Sequence, residues 1–161
     1  MLVQPIAANA PVANDPADAE AVASLLDQLY RAWGDADAYA SLFTEDADYI
    51  AFDGTHTRGR SAIAESHRPL FERFLKNSRL FGESSSTRFL TPDVALIHSK
   101  GAVLRAGQQR PSRRRLSIQT VVAVKQAEGW RFAAFHNTRY QPFTQTLLGK
   151  LLALAGLAPG S

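Results

Sequence analysis

The sequence predicts an α+β domain in which helices, gathered in the first half, cover one face of a long, curved antiparallel sheet built from the second half. Helical spacing of apolar residues is confined to the stretch before residue 76 and to residues 144–155. Between them lie four runs of strand character separated by short turn-forming segments. The 161 residues are 45% apolar, enough to close one proper core and to exclude a disordered chain for most of the length.

Residues 1–15, rich in Ala, Pro and Asn, show no period and are expected to form a flexible tail. Asp15 can cap a helix with Pro16 at its first position, and Val22, Leu25, Leu26, Leu29, Tyr30 and Trp33 recur at three and four until Gly34 stops it. A short second helix carries Tyr39, Leu42 and Phe43. Thr44-Glu45-Asp46 is expected to break it, and 48–52 to run as a strand into the turn at Asp53-Gly54. From Gly59 the spacing of Ile63, His67, Leu70, Phe71 and Phe74 is helical again, with Pro69 marking a kink or break. Strands are expected at 79–90, 94–104, 115–125 and 130–140, and such consecutive hairpins imply an antiparallel meander. The stretch 144–155, with Leu147, Leu148, Leu151, Leu152 and Leu154 and one charge, reads as a short apolar helix that must pack on this domain or on a partner.

The domain is therefore expected over 16–143, followed by the apolar helix and tail of 144–161. With no cysteine there is no disulfide framework, thiolate metal site or thiol nucleophile. No stretch has the roughly 18 apolar residues needed to cross a bilayer, and Met-Leu-Val-Gln-Pro lacks the features of a signal peptide. A cytoplasmic protein with no membrane partner is the default expectation. The net charge of +3 hides an asymmetry: residues up to Asp53 hold ten of the fifteen acids and only Arg31 among the bases. Mutual support within one fold, or a dipolar surface, accounts for that division. Arg110, Arg113, Arg114 and Arg115 would suit phosphates, yet no aromatic is interleaved with them, so nucleic acid is not expected as a partner.

The segments Tyr-Arg-Ala-Trp-Gly-Asp-Ala-Asp, Ala-Ser-Leu-Phe-Thr-Glu-Asp-Ala-Asp-Tyr and Gly-Arg-Ser-Ala-Ile resemble the opening of NTF2-like proteins, and the resemblance extends over about residues 18–140. Within that superfamily, in its SnoaL-like branch, the Phe-His-Asn-Thr-Arg ending and the spacing of Ile63 and His67 look like the SgcJ/EcaC group, members of which occur in natural-product gene clusters. The resemblance implies a cone: a strongly bent antiparallel sheet wrapped around the N-terminal helices, an internal pocket at the wide end, and commonly a homodimer through the outer sheet face. Against the ketosteroid isomerase pattern, Ala51 falls at the base position, Asp27 at the Tyr position and Gln119 at the second Asp, so that trio is absent. Asp53, two residues beyond Ala51, is a candidate displaced base.

Alternation anchored on that resemblance puts Tyr49, Ala51 and Asp53 on the concave face of one strand, and Leu96, His98 and Lys100 on that of another. Ser117, Gln119 and Val121, then Ala133, Phe135 and Asn137, follow by the same count, and Trp33 and His67 converge from the helices. Aromatic walls with a few separate polar groups suit a hydrophobic, partly oxygenated ligand. His67 is the candidate general acid or base, oriented by Asp53 in a dyad, with a hydrogen-bonded core histidine as the alternative. Trp33, Tyr49, His98, Lys100, Gln119, Phe135 and Asn137 are candidate ligand contacts. Gln119 and Asn137 could hold a carbonyl or enolate, or satisfy each other. His136, opposite in parity to Asn137, belongs to the outer face. Histidines 56, 67, 98 and 136 show no ligand spacing, and there is no Gly-x-Gly-x-x-Gly run or phosphate loop. Neither a metal nor a nucleotide cofactor is expected.

Two functions compete. One is acid/base chemistry, such as isomerisation, cyclisation or dehydration, on a polyketide-like hydrophobic intermediate of natural-product biosynthesis. The other is a non-catalytic ligand-binding or protein-interaction module. The hairpin 108–115 is a candidate dock for an acidic acyl carrier protein or a polyketide synthase, its plain alternative being a solvated turn.

Overall fold

The computed structural model describes residues 15–112 and 115–155. The expected N-terminal tail falls almost wholly outside that range, as do Arg113 and Arg114. Helix α1 (Pro16–Arg31) starts as the sequence dictates, with the Asp15 carboxylate accepting the Ala17 N–H at 2.9 Å and Pro16 at the first position. Val22, Leu25 and Leu29 form its buried stripe. Its first turn is tied to the sheet by Asp18, which accepts from Trp130 Nε1 and Lys125 Nζ, both at 2.9 Å. The bond from Lys125, and then that from Trp130, hold the Asp18 carboxyl below its ordinary value of 3.8. Its stabilisation is therefore complete above about pH 4 and lost as pH falls through the folded value. Asp18→Asn is expected to lower the thermal midpoint at pH 7, and the difference from the wild type is expected to shrink as pH falls below 3.8. Equal midpoints at pH 7 would mean that the tie contributes nothing.

Helix α2 (Ala36–Ser41) is capped by Asp35, whose carboxylate accepts from Asp37 N and Ala38 N at 3.1 and 3.0 Å. It ends sooner than expected. Phe43, expected in the helix, and Thr44-Glu45-Asp46, expected to break it, open strand β1 (Phe43–Ile50) instead, because Phe43 and Thr44 are buried, where a strand can seat them and a surface turn cannot. Asp53-Gly54 makes the expected turn, Gly54 taking φ 86°, and a short strand β2 (His56–Arg58) that sequence reading missed pairs back onto β1. Helix α3 (Arg60–Pro69) runs into Pro69. It continues as one wide π turn over Leu70–Phe74, closed by Leu75 N to Leu70 O at 2.7 Å, so the proline ends the α-helix without reversing the chain.

Strands β3 (Arg79–Thr91), β4 (Val94–Leu104), β5 (Ser117–Gln126) and β6 (Gly129–Arg139) form the expected meander. The six strands lie in the order β2-β1-β6-β5-β4-β3. One pair departs from the antiparallel expectation: β1 runs parallel to β6, the two being joined through β2, α3 and strands β3 to β5 rather than by a hairpin. The β5–β6 register slips between Val122 and Ala123, which pair with Ala134 and Phe132. Ala133 is thus the bulge residue, and the buried inward position assigned to it belongs to Phe132. Along β4 the buried residues are Ala95, Ile97, Ser99 and Gly101, with Ala102 and Leu104 buried at its end, so over the stretch 95–101 the concave face is one residue out of step with the expected Leu96, His98 and Lys100.

The core is aromatic at its centre. Phe43 lies 5.5 Å, between ring centroids, from both Tyr39 and Phe132, and 5.8 Å from Tyr49. Gly82 of β3 has a specific use: a Cβ there would fall 2.8 Å from the Tyr30 hydroxyl, so its absence lets α1 lie close to the sheet edge. After a 3₁₀ turn at Phe143–Gln145, helix α4 (Leu147–Leu154) is capped by Thr146 and packs back on that turn. Leu147, Leu148, Leu151 and Leu154 are left exposed. No helix among the described residues is long and apolar enough to cross a membrane.

Candidate functional site

Between the helices and the concave face lies an open cavity, with about 550 Å³ of empty space when the open solvent at its mouth is included. Leu26, Leu29 and Tyr30 reach it from α1, Trp33 from the following turn, Tyr39 from α2 and Tyr49 from β1. Leu80 and Phe81 of β3 close one side, and Ser99, Ser117, Gln119, Val121, Phe135 and Asn137 form the floor on β4, β5 and β6. Among the described residues, no acidic, basic or histidine side chain lines it. The Trp33 indole is held by a 2.9 Å bond from Nε1 to Ser78 Oγ and by edge contacts with Tyr39 and Phe71.

One polar chain leaves the cavity toward α3. His67 is buried, and its Nδ1 lies 2.8 Å from the Ile63 carbonyl one turn back. A carbonyl accepts only, so Nδ1 carries the hydrogen and Nε2 presents a lone pair. The Tyr49 hydroxyl, 3.3 Å away, donates to that lone pair, and the Tyr39 hydroxyl, 3.3 Å further on, donates to the Tyr49 oxygen. Tyr39 and Tyr49 line the cavity; His67 stands behind them. Burial pushes the Tyr49 phenol up to about 12 and Tyr39 well above its ordinary value, so both keep their protons at any physiological pH.

Burial lowers the His67 pKa from 6.5, the Ile63 carbonyl opposing that shift. The imidazole is neutral at pH 7 in the folded protein, whereas the unfolded chain takes up a proton first as pH falls. The stabilisation is full above about pH 6.5 and is lost as pH falls from there through the folded value. Urea midpoints are expected to drop between pH 7 and pH 5, and His67→Gln to reduce that drop. A drop of the same size in both proteins would remove His67 from the account.

A second polar chain crosses the floor. Ser117 Oγ donates to the Gly101 carbonyl at 3.4 Å and accepts from Gln119 Nε2 at 2.7 Å. The same nitrogen donates to Asn137 Oδ1 at 3.1 Å, and Gln119 Oε1 accepts from Ser99 at 2.9 Å. Gln119 and Asn137 do satisfy each other, and they do so facing the cavity.

Of the residues singled out in the sequence, Trp33, Tyr49, Gln119, Phe135 and Asn137 come together around the cavity, with His67 one layer behind. The Asp53–His67 dyad is not formed: Asp53 lies on the exposed β1–β2 turn, where its carboxylate accepts the Thr55 N–H at 3.0 Å, and the His67 nitrogens are taken by Ile63, Ser66 and Tyr49. His98 and Lys100 are corrected with the register of β4. His98 is exposed on the outer face opposite Thr120, and Lys100 pairs with Glu83 and sits 4.1 Å over the Tyr140 ring. Asp27 is exposed on α1 in an ion pair with Arg31, away from the cavity. His136 lies on the outer face as expected. Tyr39 was missed as a site residue because its helical spacing marked only core. The available signal was chemical, since a buried phenol must direct its hydroxyl to a partner. The described residues hold no group of three or more His, Asp or Glu arranged to bind a metal ion.

Residues 22–138 match the family model described as a SnoaL-like domain. Among solved structures, a domain of unknown function with a cystatin-like fold from Nostoc punctiforme is 34% identical with TM-score 0.74, the match covering 88% of this chain and 86% of that one. A protein from Streptomyces avermitilis, named a candidate dehydratase of the NTF2-like family, has TM-score 0.66 at 18% identity, over 78% of this chain and 98% of that one. A candidate scytalone dehydratase from Novosphingobium aromaticivorans has TM-score 0.62 at 16% identity, over 78% and 85%. These last two establish likeness of fold. No curated protein matches the chain.

Proposed function

Because this chain belongs to the SnoaL-like domain family, whose NTF2-like cone it shares, we propose that it binds a small apolar molecule in the cavity and moves a proton on it. The reaction is of the isomerisation, cyclisation or dehydration type. One observation carries this reading: the Tyr39–Tyr49–His67 hydrogen-bonded line ends at a neutral imidazole and begins at the cavity wall. Such a line can take a proton from a ligand without a charged group in contact with it. The names of the Streptomyces and Novosphingobium neighbours agree with dehydratase-type chemistry.

A polyketide-like ligand is supported by the aromatic walls of Trp33, Phe81 and Phe135. A place near the SgcJ/EcaC group, and with it a role in natural-product biosynthesis, is supported by the Phe135 to Arg139 ending. A homodimer through the outer sheet face would cover the half-exposed Leu96, Ile118 and Val122. An acidic carrier protein would meet the exposed Arg110 and Arg115.

The test is a titration with uncharged bicyclic ketones and phenols, reading tryptophan fluorescence in a Trp130→Phe background so that Trp33 alone reports. Each compound that binds is then incubated in heavy water, and deuterium entering at carbon is followed by mass spectrometry. Saturable binding with exchange above the buffer rate is expected. No binding by any compound would overturn the cavity reading. Binding without exchange would overturn the catalytic part and leave a ligand-binding module.

A further inference from the structure

The directions of the hydrogen bonds around the cavity restrict what it can hold. The Ile63 carbonyl forces the hydrogen onto His67 Nδ1, which forces the Tyr49 hydrogen toward Nε2 and the Tyr39 hydrogen toward Tyr49. Every proton in that line is committed along it toward His67 and Ile63. What Tyr39 offers a ligand is an oxygen lone pair. A ligand carbonyl at this point is served only if the Tyr39 hydrogen turns toward it and gives up a buried bond, whereas a ligand hydroxyl is served with every bond kept.

The floor is polarised in the opposite sense. The Gly101 carbonyl takes the Ser117 hydrogen, so Gln119 Nε2 must donate to Ser117 and Asn137 Oδ1 is left to accept. Asn137 Nδ2 thus retains hydrogens for an acceptor atom. Among the described residues no lining side chain carries a charge, so a carboxylate, phosphate or ammonium on the ligand would be desolvated without a counter-ion from them.

From these directions we propose that the ligand is an uncharged phenol or enol whose hydroxyl donates to the Tyr39 oxygen. The proposal rests on the reading of the cavity as a small-molecule site and adds the class of compound. The proton step it supports is balanced. The ligand O–H bond breaks as Tyr39 gains that hydrogen, the Tyr39 hydrogen passes to Tyr49, and the Tyr49 hydrogen passes to His67 Nε2. An enolate or phenolate and an imidazolium result, with nothing oxidised or reduced. Forming a buried imidazolium is costly, which confines the step to hydroxyls that are themselves acidic and excludes simple alcohols.

Three naphthalenes of one size and shape test this by calorimetry at pH 7: 2-naphthol, its methyl ether and the anion 2-naphthoate. The naphthol is expected to bind about tenfold more tightly than the ether, the factor that a hydrogen bond of roughly 1.4 kcal/mol provides. Naphthoate is expected not to bind at concentrations that saturate with naphthol. In Tyr39→Phe the naphthol preference should shrink to within about twofold while ether binding is kept. The wild-type ratio needs no variant, so a misfolded variant does not remove the test. An ether that binds as well as naphthol, or naphthoate as the tightest of the three, overturns the phenol inference while the cavity reading survives. Failure of all three to bind overturns both.

Discussion

Phe43→Ala is expected to destabilise the fold by about 3–5 kcal/mol, the range for truncating a fully enclosed aromatic side chain. Phe43 is 0% exposed, and its ring meets Tyr39, Tyr49, Phe132 and Phe135. Those partners come from α2, β1 and β6, so the neighbours cannot all close on the void together. The backbone there is equally committed: the Phe43 carbonyl accepts Arg60 Nε at 2.8 Å and the Leu42 carbonyl accepts Phe132 N at 2.9 Å, joining α3 and β6 to the start of β1. Phe74→Ala is the control, since Phe74 is 75% exposed and its truncation is expected to change stability by less than about 0.5 kcal/mol. Urea unfolding of the two variants decides the matter. Equal effects would mean that this cluster is not where the fold is held.

Phe43 also shows where the sequence stops being legible. Its spacing from Tyr39 and Leu42 is helical, yet it begins a strand, because the parallel pairing of β1 with β6 that seats it joins residues about ninety positions apart and leaves no local mark. The four later strands were readable because alternation is a local property and Thr91-Pro92-Asp93 and Glu128-Gly129 are local turn signals. The inward face of β5, with Ser117, Gln119 and Val121, was placed by alternation anchored on the family resemblance, and the cavity lining agrees. That of β4 was misplaced by the same count. Leu96 and Ile97 are equally apolar, and His98 and Lys100 invited a functional reading, while in the true inner set of Ala95, Ile97, Ser99 and Gly101 only Ile97 is large, so hydrophobicity alone does not mark that face. His67 was found by residue type and helix face. Its orienting partner was misassigned because Asp53 is near Ala51 in sequence, whereas the β1–β2 turn carries it out to solvent. Tyr49 was found as wall, but its hydroxyl was not seen as a link.

That link is the next expected result. Tyr49→Phe is expected to lower catalysed deuterium exchange into a bound phenol or ketone by about 10²–10⁴-fold, the usual worth of a positioned acid/base group. Affinity should change far less, because the phenyl ring can keep the stack on Phe135, whose centroid lies 4.7 Å away at 7°. Removing the hydroxyl leaves Tyr39 and His67 without their common partner. Stability should accordingly fall by about 1–3 kcal/mol, the cost of buried polar groups left unpaired. The pH profile separates loss of the relay from general loosening. In the wild type the acceptor is neutral His67, so exchange should hold as pH falls through 6.5 and decline only through the lower folded value. Tyr49, pushed up to about 12, stays protonated throughout and adds no limb near neutrality. The residual exchange of Tyr49→Phe should lack the His67 limb, since the imidazole no longer reaches the cavity through it. Exchange at the wild-type rate in Tyr49→Phe, or a wild-type limb at or above pH 6.5, would detach His67 from the chemistry and return it to the role of a core histidine.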